Sequence, residues 1–248
     1  MDLGTSQATL LLLALASGAA LLAAVGVVPL IGRPTPPPGL IGWTNAVAAG
    51  LMLGAGYALV ASGVAVEPVP GVIGGGFGVL YVAFAHWITG TGQLELNRMG
   101  DAGPVYPYQV LMVHVLHSAS EGLAIGVAMA VSTSFGVFMC VAIAVHNMPE
   151  ATALCAILRS RGLTLPQAAG MAIAVRLSQV LLAVATFAVV SAAPALTPWV
   201  LGVAVGALIY LVMAELLPES YREAGHRSIA LVTIVAMMML VLLSGRAL

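Results

Sequence analysis

The sequence predicts an all-α integral membrane protein built from eight transmembrane helices. Of its 248 residues, 61% are hydrophobic and 7% charged, whereas a soluble domain carries about 25% charged residues. Its apolar runs are each close to the roughly 20 residues that a helix needs to cross a bilayer. They are not the alternating segments of about 10 residues that build a barrel.

The spans are bounded by Pro and Gly clusters and by the few charges. The first, about 8–31, has no basic region before it and is long enough to cross, so it reads as a helix and not a cleaved signal peptide. A Pro-rich connection, Arg33 to Gly39, separates it from the second, about 43–66. The third, about 71–90, is followed by the longest loop, 91–106, with Glu95, Arg98 and Asp101. A tight connection near Ser132 to Ser134 joins the fourth and fifth, about 107–131 and 135–158. The sixth, seventh and eighth follow at about 166–190, 197–217 and 228–246. No soluble domain has room between them, and residues 1–248 read as a single transmembrane domain.

Charge limits the partners. The net charge is −1 and there is no lysine, so no basic surface exists for nucleic acid. Lipid is the expected surroundings. Arg33, Arg98, Arg159, Arg161, Arg222 and Arg227 fall in odd-numbered connections, against Arg246 alone on the opposite side. Basic residues favour the cytoplasmic side, so both termini are expected outside the cytoplasm, with the chain in a plasma (inner) membrane. Cys140 and Cys155 share the fifth span and read as small packing residues, with a soft-metal way station as the lesser alternative.

The chemistry lies in two copies of one pattern, HSASEG (His117 to Gly122) and HNMPEA (His146 to Ala151). In each, a histidine and a glutamate are four residues apart and project from one helix face. His117 precedes the tight connection by about 16 residues and His146 follows it by about 13, so both lie ~20–24 Å from one membrane face. Helices joined by so short a link are antiparallel neighbours, and the two pairs meet. Ionisable groups at that depth cost a few kcal/mol each, so they have a partner and a purpose. Two imidazoles and two carboxylates suit a divalent transition metal, and a metal site in mid-membrane points to a transporter. Pro149, inside the second pattern, is expected to loosen the helix and free the carbonyl near Val145.

These motifs resemble those of the ZIP (Zrt- and Irt-like protein) divalent metal transporters. HSASEGLAIGVA and HNMPEA look like that family's HSxxEG and HNxPEG core motifs, and AELLPES (Ala214 to Ser220) resembles its ELxPE ending. Eight helices with both termini outside is also the family topology. The resemblance implies a ZIP-like bundle with its metal site between helices four and five. His117, Glu121, His146 and Glu150 then correspond to the primary transport site, and Asn147 and Ser118 to its edge. The family's sixth helix often supplies a carboxylate to a second, adjacent metal position. Here that stretch reads RLSQV, with Gln179 where glutamate is expected and Arg176 one turn earlier. A cation that deep needs a carboxylate, and the family architecture makes Glu150 and Glu121 the nearest. The loop 91–106, histidine-rich in many relatives, has no histidine, which argues against metal sensing there.

Other polar residues carry two readings each. His114 is either a first-pass ligand or a histidine satisfied behind the site. His86 lines an exit or makes an interfacial hydrogen bond, the favoured reading. Glu215 and Glu219 are spaced like another ligand pair on a release path, with His226 beyond, although Glu219 and Glu223 also fit solvated acids beside Arg222 and Arg227. Met52 approaches the metal from the second helix or, as favoured, packs.

The expected function is transport of a divalent ion toward the cytoplasm. Zinc is the first candidate, and Fe²⁺, Mn²⁺, Co²⁺ and Cd²⁺ also suit the ligands. No organic cofactor and no enzymatic activity are expected, and a homodimer is compatible with the sequence. Two alternatives compete. A membrane-embedded metalloenzyme is disfavoured because neither histidine sits in HExxH or ExxH. A metal-free proton pathway would use Glu121 and Glu150.

Overall fold

The computed structural model of the chain describes residues 4–32, 39–64, 67–90 and 106–245. These are nearly all helical, without a strand among the described residues, and eight of the helices are long and apolar enough to cross a membrane. The spans are Thr5–Leu30, Leu40–Gly63, Pro68–Thr89, Tyr108–Val131, Thr133–Ser160, Leu165–Ala192, Pro194–Ala224 and His226–Ser244. Arg33, Glu95, Arg98, Asp101 and Arg246, used for the loop and orientation expectations, lie outside the described residues.

Several spans depart from simple α-helix. The first tightens into a 3₁₀ helix over Ala23–Leu30, and the second ends in a π turn, Val60–Val64. The seventh reaches seven residues past the expected 217 because a π turn at Val212–Leu216 leads into a further helix, Leu217–Ala224. Pro218 suits that helix start, where its missing N–H is no loss. The sixth span is two helices, Leu165–Val175 and Leu177–Ala192, meeting at Arg176. The loosening expected at Pro149 did not appear as a break. The fifth span is one helix from Thr133 to Ser160, because a single lost hydrogen bond is tolerated where neighbouring helices hold the chain.

Burial ranks the spans. The fourth and fifth have 72% of their apolar window buried, against 22% for the third and 28% for the eighth. The motif-bearing pair is therefore the centre of the bundle. The second span packs on the fifth and eighth, the fourth on the second half of the sixth, and the first on the fifth. Phe77, Leu80, Phe84 and Trp87 of the third span face outward, as a lipid-facing helix requires.

Small residues set the closest approaches, as is usual where lipid removes any hydrophobic drive between helices. A Cβ on Gly122, the residue after Glu121, would strike Gln179 O and come within 2.9 Å of Leu182 Cβ. The glycine of HSASEG thus lets the sixth span lie directly against the motif. The third and seventh spans meet similarly: a Cβ on Gly78 would strike Val203 O and lie 2.9 Å from Ala207 N, whereas Gly76 has nothing within 4 Å. Gly78→Ala should therefore cost about 1–3 kcal/mol, the usual range for overpacking, while Gly76→Ala costs nothing. Thermal unfolding in detergent reads the difference. Equal melting temperatures for the two variants would contradict this packing.

Candidate metal centre

Each ligand candidate is positioned by helix periodicity and by a contact from another span: a side chain for His117, Glu121 and Glu150, and a backbone carbonyl for His146. His117 and His146 are buried and stack with ring centroids 5.9 Å apart and planes 13° from parallel. The equal depth inferred from residue counting is thus realised. His117 Nε2 lies 2.9 Å from Met52 Sδ, so the second span's methionine reaches the cluster. Glu121 and Glu150 are buried as well, and one donor atom from each of the four residues lies within 4.8 Å of the others. Donors around a single ion with bonds of about 2.0–2.1 Å sit about 3.4 Å apart, so small side-chain adjustments close the set.

The orientation of His146 turns its Nε2 toward both carboxylates. Its Nδ1 is 3.0 Å from Ala48 O, in the second span. A carbonyl only accepts, so Nδ1 carries the proton and, in the neutral ring, Nε2 presents a lone pair. Nε2 is 2.8 Å from Glu121 Oε1 and 3.3 Å from Glu150 Oε2. A proton on Nε2 makes these donated, charge-assisted contacts, whereas a neutral ring would turn a lone pair toward the carboxylates, where a metal ion can take the proton's place. His114 repeats the arrangement: Nδ1 donates to Val110 O at 2.9 Å, leaving Nε2 3.9 Å from Glu150 Oε1.

Arg176 enters the same cluster. Nη1 donates to Glu121 Oε2 at 2.8 Å and Nη2 to Glu150 Oε2 at 2.5 Å, and the side chain is fully buried. One guanidinium thus links the carboxylates of both motifs.

The edge residues behave differently. Asn147 Nδ2 donates to Ala19 O at 3.2 Å and to Gln179 Oε1 at 3.1 Å, tying the fifth span to the first and sixth. Its Oδ1 and Ser118 Oγ are buried without a hydrogen-bond partner. Gln179 acts as the acceptor for Asn147. Farther along, His86 Nε2 lies 2.6 Å from Glu215 Oε1, joining the third span to the π turn of the seventh. Glu219 is buried, with Oε2 3.4 Å from Arg222 Nη1. The free cysteines Cys140 and Cys155 are buried outside the four-residue cluster.

Two cavities of about 10 Å³ each, near the size of one water, flank the cluster. Met52, Glu121 and His146 line one; Asn45, His114, His117, Glu150 and Glu215 line the other. Asn45 was not singled out in the sequence, although a lone amide within an apolar helix is a usable signal. The Ala48 carbonyl carried no signal, since every residue has one.

The profile of the ZIP zinc transporter family matches residues 98–243. The chain belongs to this family. It is similar to an Arabidopsis thaliana protein named as a zinc transporter, with 33% identity over 196 residues, 76% of this chain and 31% of that one. It is also similar to zinc transporter ZIP10 of Danio rerio, with 30% identity over 128 residues, 50% of this chain and 15% of that one. The chain therefore spans about a third or less of the length of these relatives. Membership in this family, together with eight membrane-length helices, marks an integral membrane protein with a buried His/Glu cluster able to hold a metal ion.

The Asn147–Gln179 amide link tests the local geometry. A double-mutant cycle with Asn147→Ala and Gln179→Ala should show a coupling of about 0.5–1.5 kcal/mol in unfolding free energy. Strictly additive effects would show that the two side chains do not meet.

Proposed function

We propose that this ZIP family member carries Zn²⁺ across a plasma (inner) membrane toward the cytoplasm. The ion would be held in transit by His117, Glu121, His146 and Glu150, with Asn147 and Ser118 at the edge. The observation that supports this reading is the convergence of one donor atom from each of His117, Glu121, His146 and Glu150 to within 4.8 Å of one another, all four buried. Zinc is favoured over harder ions because imidazole and the thioether of Met52 lie on one side of the cluster, and zinc is borderline-soft. Fe²⁺, Mn²⁺, Co²⁺ and Cd²⁺ are the competitors. The proposed partners are the ion and lipid, in a single transmembrane domain. A homodimer is compatible with this reading and unnecessary for it, since all four donors come from one chain.

The two small cavities suggest the route. The first includes Ala142, one turn before His146; the second includes Ile157, toward the fifth span's arginine end at Arg159. With odd-numbered connections in the cytoplasm and both termini outside, the ion would pass from the Met52 side to the His114 and Asn45 side. It would then meet Glu215 and His86. Glu219 would serve the last step near Arg222. Arg176 would stay in place as a fixed charge.

Glu150→Ala is expected to abolish uptake of radioactive zinc into proteoliposomes while the protein remains inserted and monodisperse. Normal uptake by that variant would sink the proposed site. For direction, Ser6→Cys and Arg98→Cys should be labelled by an impermeant thiol reagent from opposite faces of intact cells, position 6 from outside. The reverse pattern would overturn the orientation.

A further inference from the structure

The cluster has a fifth ionisable member that a site for one divalent ion does not need as a ligand. Arg176 is fully buried where the two helices of the sixth span meet, and its two terminal nitrogens each hold one carboxylate oxygen, Glu121 Oε2 and Glu150 Oε2. A guanidinium keeps its proton in any protein environment, so this is a permanent positive charge tethered between two acids from different spans. The planar fork suits two acceptors held side by side, which a lysine ammonium would not match.

We propose that Arg176 limits this transport site to a single divalent ion by engaging one oxygen of each carboxylate, Oε2 of Glu121 and Oε2 of Glu150. The proposal rests on reading the cluster as the transport site. Charge is the first support. Two carboxylates and one guanidinium leave a net −1 from these three groups, which one divalent ion turns into +1. A second divalent ion would raise it to +3 among buried side chains, where like charges are poorly screened.

The donor inventory is the second support. With both Oε2 atoms engaged by Arg176, the other carboxylate oxygens lie beside imidazoles: Glu121 Oε1 is 2.8 Å from His146 Nε2 and Glu150 Oε1 is 3.9 Å from His114 Nε2. Glu150 Oε2 also lies 3.3 Å from His146 Nε2, so one of the oxygens nearest the histidines is already engaged by the guanidinium, and the four residues retain donors for no more than one four-coordinate ion. On the opposite side, Gln179 Oε1 already accepts from Asn147, so the sixth span offers a guanidinium and a committed amide where a second ion would need an anion.

Packing keeps the guanidinium there. Gly122 brings the sixth span onto the fourth beside Glu121, and Ser178 Oγ donates to Val115 O at 3.0 Å. A resident cation also moderates affinity, which suits an ion that must leave as readily as it arrives.

The decisive measurement is the number of Zn²⁺ ions bound per chain by the purified full chain in detergent, counted by equilibrium dialysis and elemental mass spectrometry. Wild type should hold one tightly bound ion, lost in Glu150→Ala. Two tight ions in wild type, both lost in Glu150→Ala, would overturn the role of Arg176 while leaving the transport site intact. No tight ion in wild type, or one that survives Glu150→Ala, would overturn the transport-site reading and this proposal with it. Arg176→Gln removes the charge and keeps a donor; it should bind Zn²⁺ on the order of tenfold or more tightly. Unchanged or weaker affinity in that variant would count against the proposal. Arg176→Glu should bind two ions. The wild-type count decides even if a variant fails to fold.

Discussion

Two carboxylates in the middle of a bundle surrounded by lipid demand nearby positive charge, and the central packing follows from meeting that demand. Each buried acid costs about 2.5–3.5 kcal/mol to place at mid-membrane even on insertion scales. Arg176 supplies a guanidinium to both, drawing the fourth, fifth and sixth spans together at one point. A buried ion pair is weak evidence for net stability, because desolvation offsets the attraction. Its contribution is placement. With the Oε2 atoms of Glu121 and Glu150 held by one rigid fork, their remaining oxygens stay beside the imidazoles.

Two histidines are oriented by backbone: His146 donates to the Ala48 carbonyl and His114 to the Val110 carbonyl, so both turn Nε2 toward carboxylate oxygen. A neutral imidazole fixed in this way is prepared for a cation, since the hydrogen bond at one nitrogen decides what the other can bind. The two carboxylates therefore lie between a guanidinium and the imidazoles, with Glu150 Oε2 shared by Arg176 and His146.

Glycine connects this chemistry to the fold. Gly122 follows Glu121 directly, and a side chain there would push away the span that brings Arg176. Gly26 has the corresponding role in the first span, where a Cβ would lie 2.6 Å from the backbone of Ala151, next to Glu150. The residue after each motif glutamate thus borders a close helix contact. The short motifs encode packing as well as ligands.

The eight spans, and the meeting of His117 and Glu121 with His146 and Glu150, were readable in the chain. Bilayer thickness dictates helix length, and a tight connection forces its two helices to be antiparallel neighbours at matched depth. The need for a carboxylate near Arg176 was readable for the same reason, since an obligatory cation cannot stay alone in lipid. The break at Arg176, the continuous helix through Pro149 and the π turn that places Glu215 were not. Nor was the contact of His86 with Glu215, or the carbonyl of Ala48 that sets the His146 tautomer. The last two join spans that are not consecutive, and one of them uses a backbone group that every residue possesses, so they depend on tertiary packing that local periodicity does not encode.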